Sequence, residues 1–176
     1  FTISGGTFRL NSNQQLSLSN SLTNNGTFTM RSGATFVPSA TLTNITGTGT
    51  YNVQRLLTGN EATWNTTTNG RFWYVGIPVN SALRSSFGTP GTNSNRVWSY
   101  SETSKAYTEI TLANATLSGG TGYVHRRTTN DTLTFTGVGT NGLRGAAFNQ
   151  TNLTRTLSSS VGFHLVANPY MAYIDW

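Results

Sequence analysis

Over the first third of the chain, single polar residues separate apolar ones in short runs: Phe8 from Leu10, Leu16 from Leu18, and Phe28 from Met30. Side chains of an extended strand point alternately to its two faces, so a period of two predicts strands with one buried face. The pattern also recurs. Gly6-Thr7-Phe8 returns as Gly26-Thr27-Phe28, Leu16 as Phe36, and Leu22-Thr23-Asn24 as Leu42-Thr43-Asn44, each 20 residues later. A fixed step of this size with Asn and Gly corners predicts coils of a parallel β-solenoid, with equivalent residues stacked about 4.8 Å apart from rung to rung. Phe8 is then expected over Phe28, Leu16 over Phe36 and Leu22 over Leu42. A β-sandwich of evenly spaced hairpins competes with this reading, but hairpins give no reason for like residues 20 positions apart. Each rung buries its apolar face only against neighbours, so further rungs are expected before Phe1. Thr46 to Arg55 breaks the step and reads as a closing strand, which places a boundary near residues 56–60.

Residues 1–56 are thus expected to form the end of a solenoid, and residues 57–176 a second all-β unit, a sandwich or jelly roll. Candidate strands are Arg71 to Ile77, Arg96 to Tyr100, Tyr107 to Leu112, Gly122 to Arg126, Thr132 to Thr136 and Gly162 to Val166, separated by Gly, Pro, Asn and Ser clusters. Val97-Trp98-Ser99-Tyr100 followed by Ala106-Tyr107 reads as an aromatic hairpin. No segment has a sustained helical period. Phe72, Val75, Pro78 and Leu83 are echoed 91 residues later by Phe163, Val166, Pro169 and Ile174. In both copies the proline, with fixed φ and no N–H, takes the chain out of the ladder. Because the second copy stops where the first continues, the chain is expected to be part of something longer, incomplete at both ends.

Composition reinforces the all-β expectation. Only 9% of residues are charged, and Thr, Ser, Asn and Gly take their place, which suits strands and tight turns. The net charge of +6 arises from 11 basic residues against 5 acidic ones, a shortage of acids more than a wealth of bases. Only Arg126 and Arg127 are adjacent. A nucleic-acid partner calls for a concentrated basic patch, so none is expected. With no cysteine, disulfides, thiolate metal sites and cysteine nucleophiles are excluded. No apolar run approaches the roughly 20 residues that span a bilayer.

The chemistry-bearing residues are sparse. Residues 1–60 hold no Asp or Glu, and Glu61, Glu102, Glu109, Asp131 and Asp175 are scattered over the rest. Carbohydrate-active solenoids need clustered carboxylates for acid/base work or calcium. Glu102 and Glu109 come near one another across the aromatic hairpin, but they read as a solvated rim. His125 and His164 lack a partner at metal-ligand spacing, and no Gly-x-Ser-x-Gly elbow singles out a serine. The chain is therefore expected to be non-catalytic, with no cofactor and no metal. Aromatics are the better candidates. Trp64, Trp73, Tyr74, Trp98, Tyr100 and Tyr107 are numerous enough to provide a stacking surface, and among them Trp73, Trp98 and Tyr100 are singled out: Trp98 and Tyr100 point the same way, as Trp73 and Val75 do on another strand. If one of those faces is outside it is a sugar-stacking surface; otherwise its members are core.

Taken together, the Thr- and Asn-rich repeat, Gly49-Thr50-Tyr51-Asn52-Val53-Gln54-Arg55, Phe72-Trp73-Tyr74-Val75-Gly76-Ile77-Pro78, Trp98-Ser99-Tyr100, Gly120-Thr121-Gly122-Tyr123 and Asn168-Pro169-Tyr170 resemble the large surface and adhesin-like proteins of Bacteroidota. That resemblance implies export by the type IX secretion system, a cell-surface or extracellular location, and a structural or adhesive role toward surface glycans or other surface proteins. It also implies O-glycosylation at Thr132, within Asp131-Thr132-Leu133. The alternatives are a carbohydrate-binding module of a secreted glycan-processing protein, or a passive exported subunit of a larger assembly.

Overall fold

A computed structural model describes residues 1–38, 44–59, 70–91, 95–139, 142–143, 153 and 163–168. Among them the chain is all-β, with one short 3-10 helix and several small open sheets. The repeat region supplies β1 (Thr2–Ile3), β2 (Thr7–Leu10), β3 (Gln15–Leu18), β4 (Ser21–Asn24), β5 (Thr27–Met30), β6 (Thr35–Pro38), β7 (Asn44–Thr46) and β8 (Thr50–Leu57). They pair in three parallel ladders, β1-β4-β7, β2-β5-β8 and β3-β6. Phe8 lies opposite Phe28 and Leu16 opposite Phe36, in the 20-residue register. Parallel pairing excludes consecutive hairpins for these strands, because a tight turn reverses direction.

The next step is longer. Leu22 lies opposite Ile45 and Phe28 opposite Tyr51, both 23 residues on. This corrects the expected stacking of Leu42 on Leu22: three extra residues precede β7, so Ile45 takes that position, and Leu42 falls outside the described residues. Phe28 is buried among rings from three segments, with centroids 5.4 Å to Phe8, 6.1 Å to Phe36 and 6.1 Å to Tyr51. Beside it the buried Asn24 closes a corner. Its amide Oδ1 accepts from the Gly26 N–H at 3.0 Å, and its Nδ2 donates to the Thr50 carbonyl at 3.1 Å.

The recurring glycine of the repeat has a steric cause. A Cβ on Gly26 would stand 2.5 Å from the Gly6 carbonyl oxygen, and one on Gly49 2.4 Å from that of Gly26. Those same carbonyls accept from Thr27 N and Thr50 N at 2.8 Å, so relieving the clash breaks the contact between the parallel strands. Gly26→Ala is expected to lower unfolding free energy by about 2–3 kcal/mol, the cost of overpacking a site that cannot yield. A urea midpoint indistinguishable from wild type would show that the paired strands can part there.

The rest of the chain adds β9 (Arg71–Gly76), β10 (Ser81–Leu83), the 3-10 helix Arg84–Phe87, β11 (Val97–Ser101), β12 (Ala106–Glu109), β13 (Thr116–Ser118), β14 (Gly122–Arg127) and β15 (Asp131–Val138). Most expected strands are present with ends shifted by one or a few residues. In place of the strand expected from Gly162, Val166 makes a single antiparallel bridge to Thr121; Gly162 and Pro169 lie outside the described residues. Strands β12-β11-β14-β9 form an antiparallel sheet, and β11 and β12 are the expected aromatic hairpin. Strand β15 pairs antiparallel with β8 from Asp131 opposite Leu57 to Val138 opposite Thr50. The sheet β15-β8-β5-β2 therefore runs across residues 56 and 57, and β8 is a third member of its parallel ladder as well as the partner of β15. Phe87 packs between the two larger sheets, its ring 4.8 Å from His125 on β14 and 5.3 Å from Phe135 on β15.

Candidate functional site

The register of the antiparallel sheet sorts its side chains into two faces. Tyr74 lies opposite Val124, Val124 opposite Trp98, and Trp98 opposite Glu109; Tyr100 lies opposite Tyr107. With strand period two, Phe72, Tyr74, Trp98, Tyr100 and Tyr107 share one face. Trp73 and Val75 share the other, with His125 and Val97. The second face is the core side, where Val75, Val97 and His125 are buried. There the Trp73 indole N–H donates to the Thr58 carbonyl at 2.8 Å. Of the three aromatics singled out by the sequence, the structure brings Trp98 and Tyr100 together and places Trp73 on the opposite side.

The outward face carries rings in two groups. Phe72 and Trp98 have centroids 5.8 Å apart, and Tyr100 and Tyr107 5.1 Å apart. Tyr74 is 73% exposed, Tyr107 52% and Phe72 45%. The Tyr107 phenol is held above its ordinary value by partial desolvation first, then by the neighbouring Tyr74 and Tyr100 phenols. Arg96 lies over the Trp98 ring at 4.9 Å, within cation–π range. The Glu109 carboxylate holds that guanidinium through Nε at 3.1 Å to both oxygens and Nη2 at 2.6 Å. The Arg96 hydrogen bonds lower the Glu109 carboxyl below its usual range, and Glu109 raises Arg96. Arg126 belongs to the same face by register but is buried.

Phe72, Tyr74 and Tyr107 complete a face that the sequence could not assign. In Arg71-Phe72-Trp73-Tyr74-Val75 both alternating sets are aromatic or apolar, so periodicity alone cannot say which is out. At the far end of the face stand Gly76 and Gly122, where the returning chain crosses closely. A Cβ on Gly76 would meet Ala167 Cβ at 2.6 Å, and one on Gly122 would meet Leu165 Cγ at 2.6 Å.

The other sequence candidates are separate. Glu102 is buried in the β11–β12 turn, whereas Glu109 lies at the far end of β12, about 10 Å of strand away. His125 is buried, and His164 is half-buried near the Val166 bridge. Thr132 is exposed on β15, its N–H donating to Asp131 Oδ1 at 2.7 Å. Glu61, Trp64 and Asp175 lie outside the described residues. Among the described residues no group of three or more His, Asp or Glu could hold a metal ion, and no helix is long and apolar enough to cross a membrane.

A family model described as a domain of unknown function (DUF8693) matches residues 1–176. The chain belongs to that family. No curated protein and no solved structure matches it.

Proposed function

We propose that the chain is a non-catalytic extracellular structural and adhesive module of a larger bacterial surface protein. In this reading the three parallel ladders are coils of a β-solenoid stalk, and the region of β9 to β15 is the sandwich-like unit that follows. The observation that carries it is the in-register parallel stacking of Phe8 on Phe28 and Phe28 on Tyr51. Stacked coils satisfy their backbone bonds from rung to rung and make a stiff spacer. A low density of charge, with Thr, Ser and Asn in its place, limits nonspecific ionic contacts. The resemblance to Bacteroidota adhesin-like proteins supplies the cell-surface address and the type IX export route, and exposed Thr132 is the residue offered for O-glycosylation. Adhesion would act through the outward aromatic face.

Negative-stain imaging of the full-length protein tests the reading. An elongated particle is expected; a compact globule would remove the stalk and with it the main physical support for a surface-module role.

A further inference from the structure

The geometry points to a neutral glycan chain as the partner of the outward face of the antiparallel sheet, with Trp98, Phe72, Tyr74, Tyr100 and Tyr107 as the stacking platform. This deepens the adhesive reading and rests on it for a biological context, but the binding itself stands on the sheet. Three features select the occupant. The first is ring density: five aromatics stand on one face, and three of them are far from covered, with Tyr74 at 73% exposure. Aromatic rings whose faces meet water attract the C–H faces of pyranose rings.

The second feature is the spacing of the rings. Trp98 and Tyr100 are two residues apart on β11, about 7 Å along the strand. Each carries a partner ring, Phe72 at 5.8 Å and Tyr107 at 5.1 Å. The face is thus a row of ring pairs, suited to successive units of a chain more than to one small ligand.

The third is charge. The accessible ionic groups at the row are Arg96 and Glu109, and they neutralise each other through three hydrogen bonds. What is left for a partner is uncharged: phenol hydroxyls at Tyr74, Tyr100 and Tyr107, together with the polar rims of a paired guanidinium and carboxylate. A polyanion would have to compete with Glu109 for Arg96. An apolar protein surface would desolvate the phenols and the ion pair with nothing to offer them. A neutral sugar offers C–H faces to the rings and hydroxyls to the polar groups.

Native affinity electrophoresis of the purified protein decides this, in gels containing mixed-linkage β-glucan, xyloglucan or galactomannan, with polygalacturonate as the polyanionic arm. Retardation is expected in at least one neutral gel, unchanged by added salt. It should weaken about tenfold in Trp98→Ala and in Tyr74→Ala, the loss of roughly one stacking contact. Tyr74 is largely exposed, so its substitution tests the platform even if Trp98→Ala fails to fold. Retardation by none of the neutral polymers, retardation only by polygalacturonate and abolished by salt, or neutral retardation unaffected by Tyr74→Ala would each overturn the inference. So would a concentration-dependent dimer dispersed by Tyr74→Ala, which gives the face to a second copy. Any of these with an elongated full-length particle leaves the stalk reading intact, which keeps the two failures apart.

Discussion

Arg84→Ala is expected to lower unfolding free energy by about 4 kcal/mol or more, enough to leave a marginal domain unfolded. Arg84 is fully buried at the start of the 3-10 helix. Its Nε donates to the Ile110 carbonyl at 2.9 Å, Nη1 to the Gly88 carbonyl at 3.0 Å, and Nη2 to the Asn95 carbonyl. One planar fork thus ties together the end of the 3-10 helix, the entry to β11 and the exit from β12. Burial pulls the guanidinium below its ordinary value, with the Glu109 carboxylate acting against that. Two effects compete on substitution. Removing the charge recovers its desolvation cost, while losing the fork takes the donor from three carbonyls of half-buried residues, each worth about 1–3 kcal/mol where water cannot replace it, and opens a cavity. For alanine the second effect wins, since both losses fall together. Arg84→Met fills part of the volume and should lose less than alanine, whereas Arg84→Lys keeps the charge but cannot reach three carbonyls from one ammonium. Urea unfolding of the three variants measures the order. A methionine variant as stable as wild type would mean that the carbonyls find other donors, and that the fork is dispensable.

Much of this architecture was legible in the sequence because its cause is local and repeated. The Gly26 and Gly49 positions are fixed by the carbonyl of the preceding glycine of the repeat, Gly6 and Gly26, so the repeat is visible as glycine followed by threonine and an aromatic. The 20-residue step located Phe8 on Phe28 and Leu16 on Phe36. It failed at Leu22, where Leu42-Thr43-Asn44 matched the motif better than Asn44-Ile45-Thr46 did, yet the second is the strand that pairs. Sequence identity there competed with apolar placement, and register followed the ladder. Strands β10 and β13 have three residues each, too short for a period to show. The aromatic face was half legible. Alternation on β11 linked Trp98 to Tyr100, but the inward choice of Trp73 depends on His125 and Phe87 from elsewhere in the chain. Nothing in the neighbourhood of Arg84 announces a buried cation, because its three acceptors are backbone atoms contributed by distant residues.

Acidification should weaken the fold through His125, by about 3 kcal/mol between pH 6.5 and pH 4. The imidazole is fully buried. Since a carbonyl can only accept, Nδ1–H donates to the Arg96 carbonyl at 3.0 Å; Nε2 is the bare nitrogen and has no hydrogen-bond partner. A proton added at Nε2 creates a cation in a fully buried site edged by Phe87. Desolvation is the main reason the group is lowered from 6.5 to about 4; Arg127 and Arg84 push the same way, against the Arg96 carbonyl and Asp131. The sign follows from proton uptake. Between the two values the unfolded chain binds a proton that the folded chain refuses, so stability falls as pH drops, at about 1.4 kcal/mol per pH unit. Above pH 6.5 the group is neutral in both states and the full stability is present, and below pH 4 both states carry the proton and the loss is complete. His125→Phe removes this titration while leaving the Arg96 carbonyl one donor short, a cost of about 1 kcal/mol at pH 7. The variant should therefore begin less stable and lose less, so that its unfolding free energy overtakes that of wild type before pH 4. Glu109, lowered by Arg96, contributes an acid-side loss common to both proteins, and cancels in the comparison. Parallel stability curves for the two proteins over that range would show that buried His125 takes up its proton as easily as an exposed one.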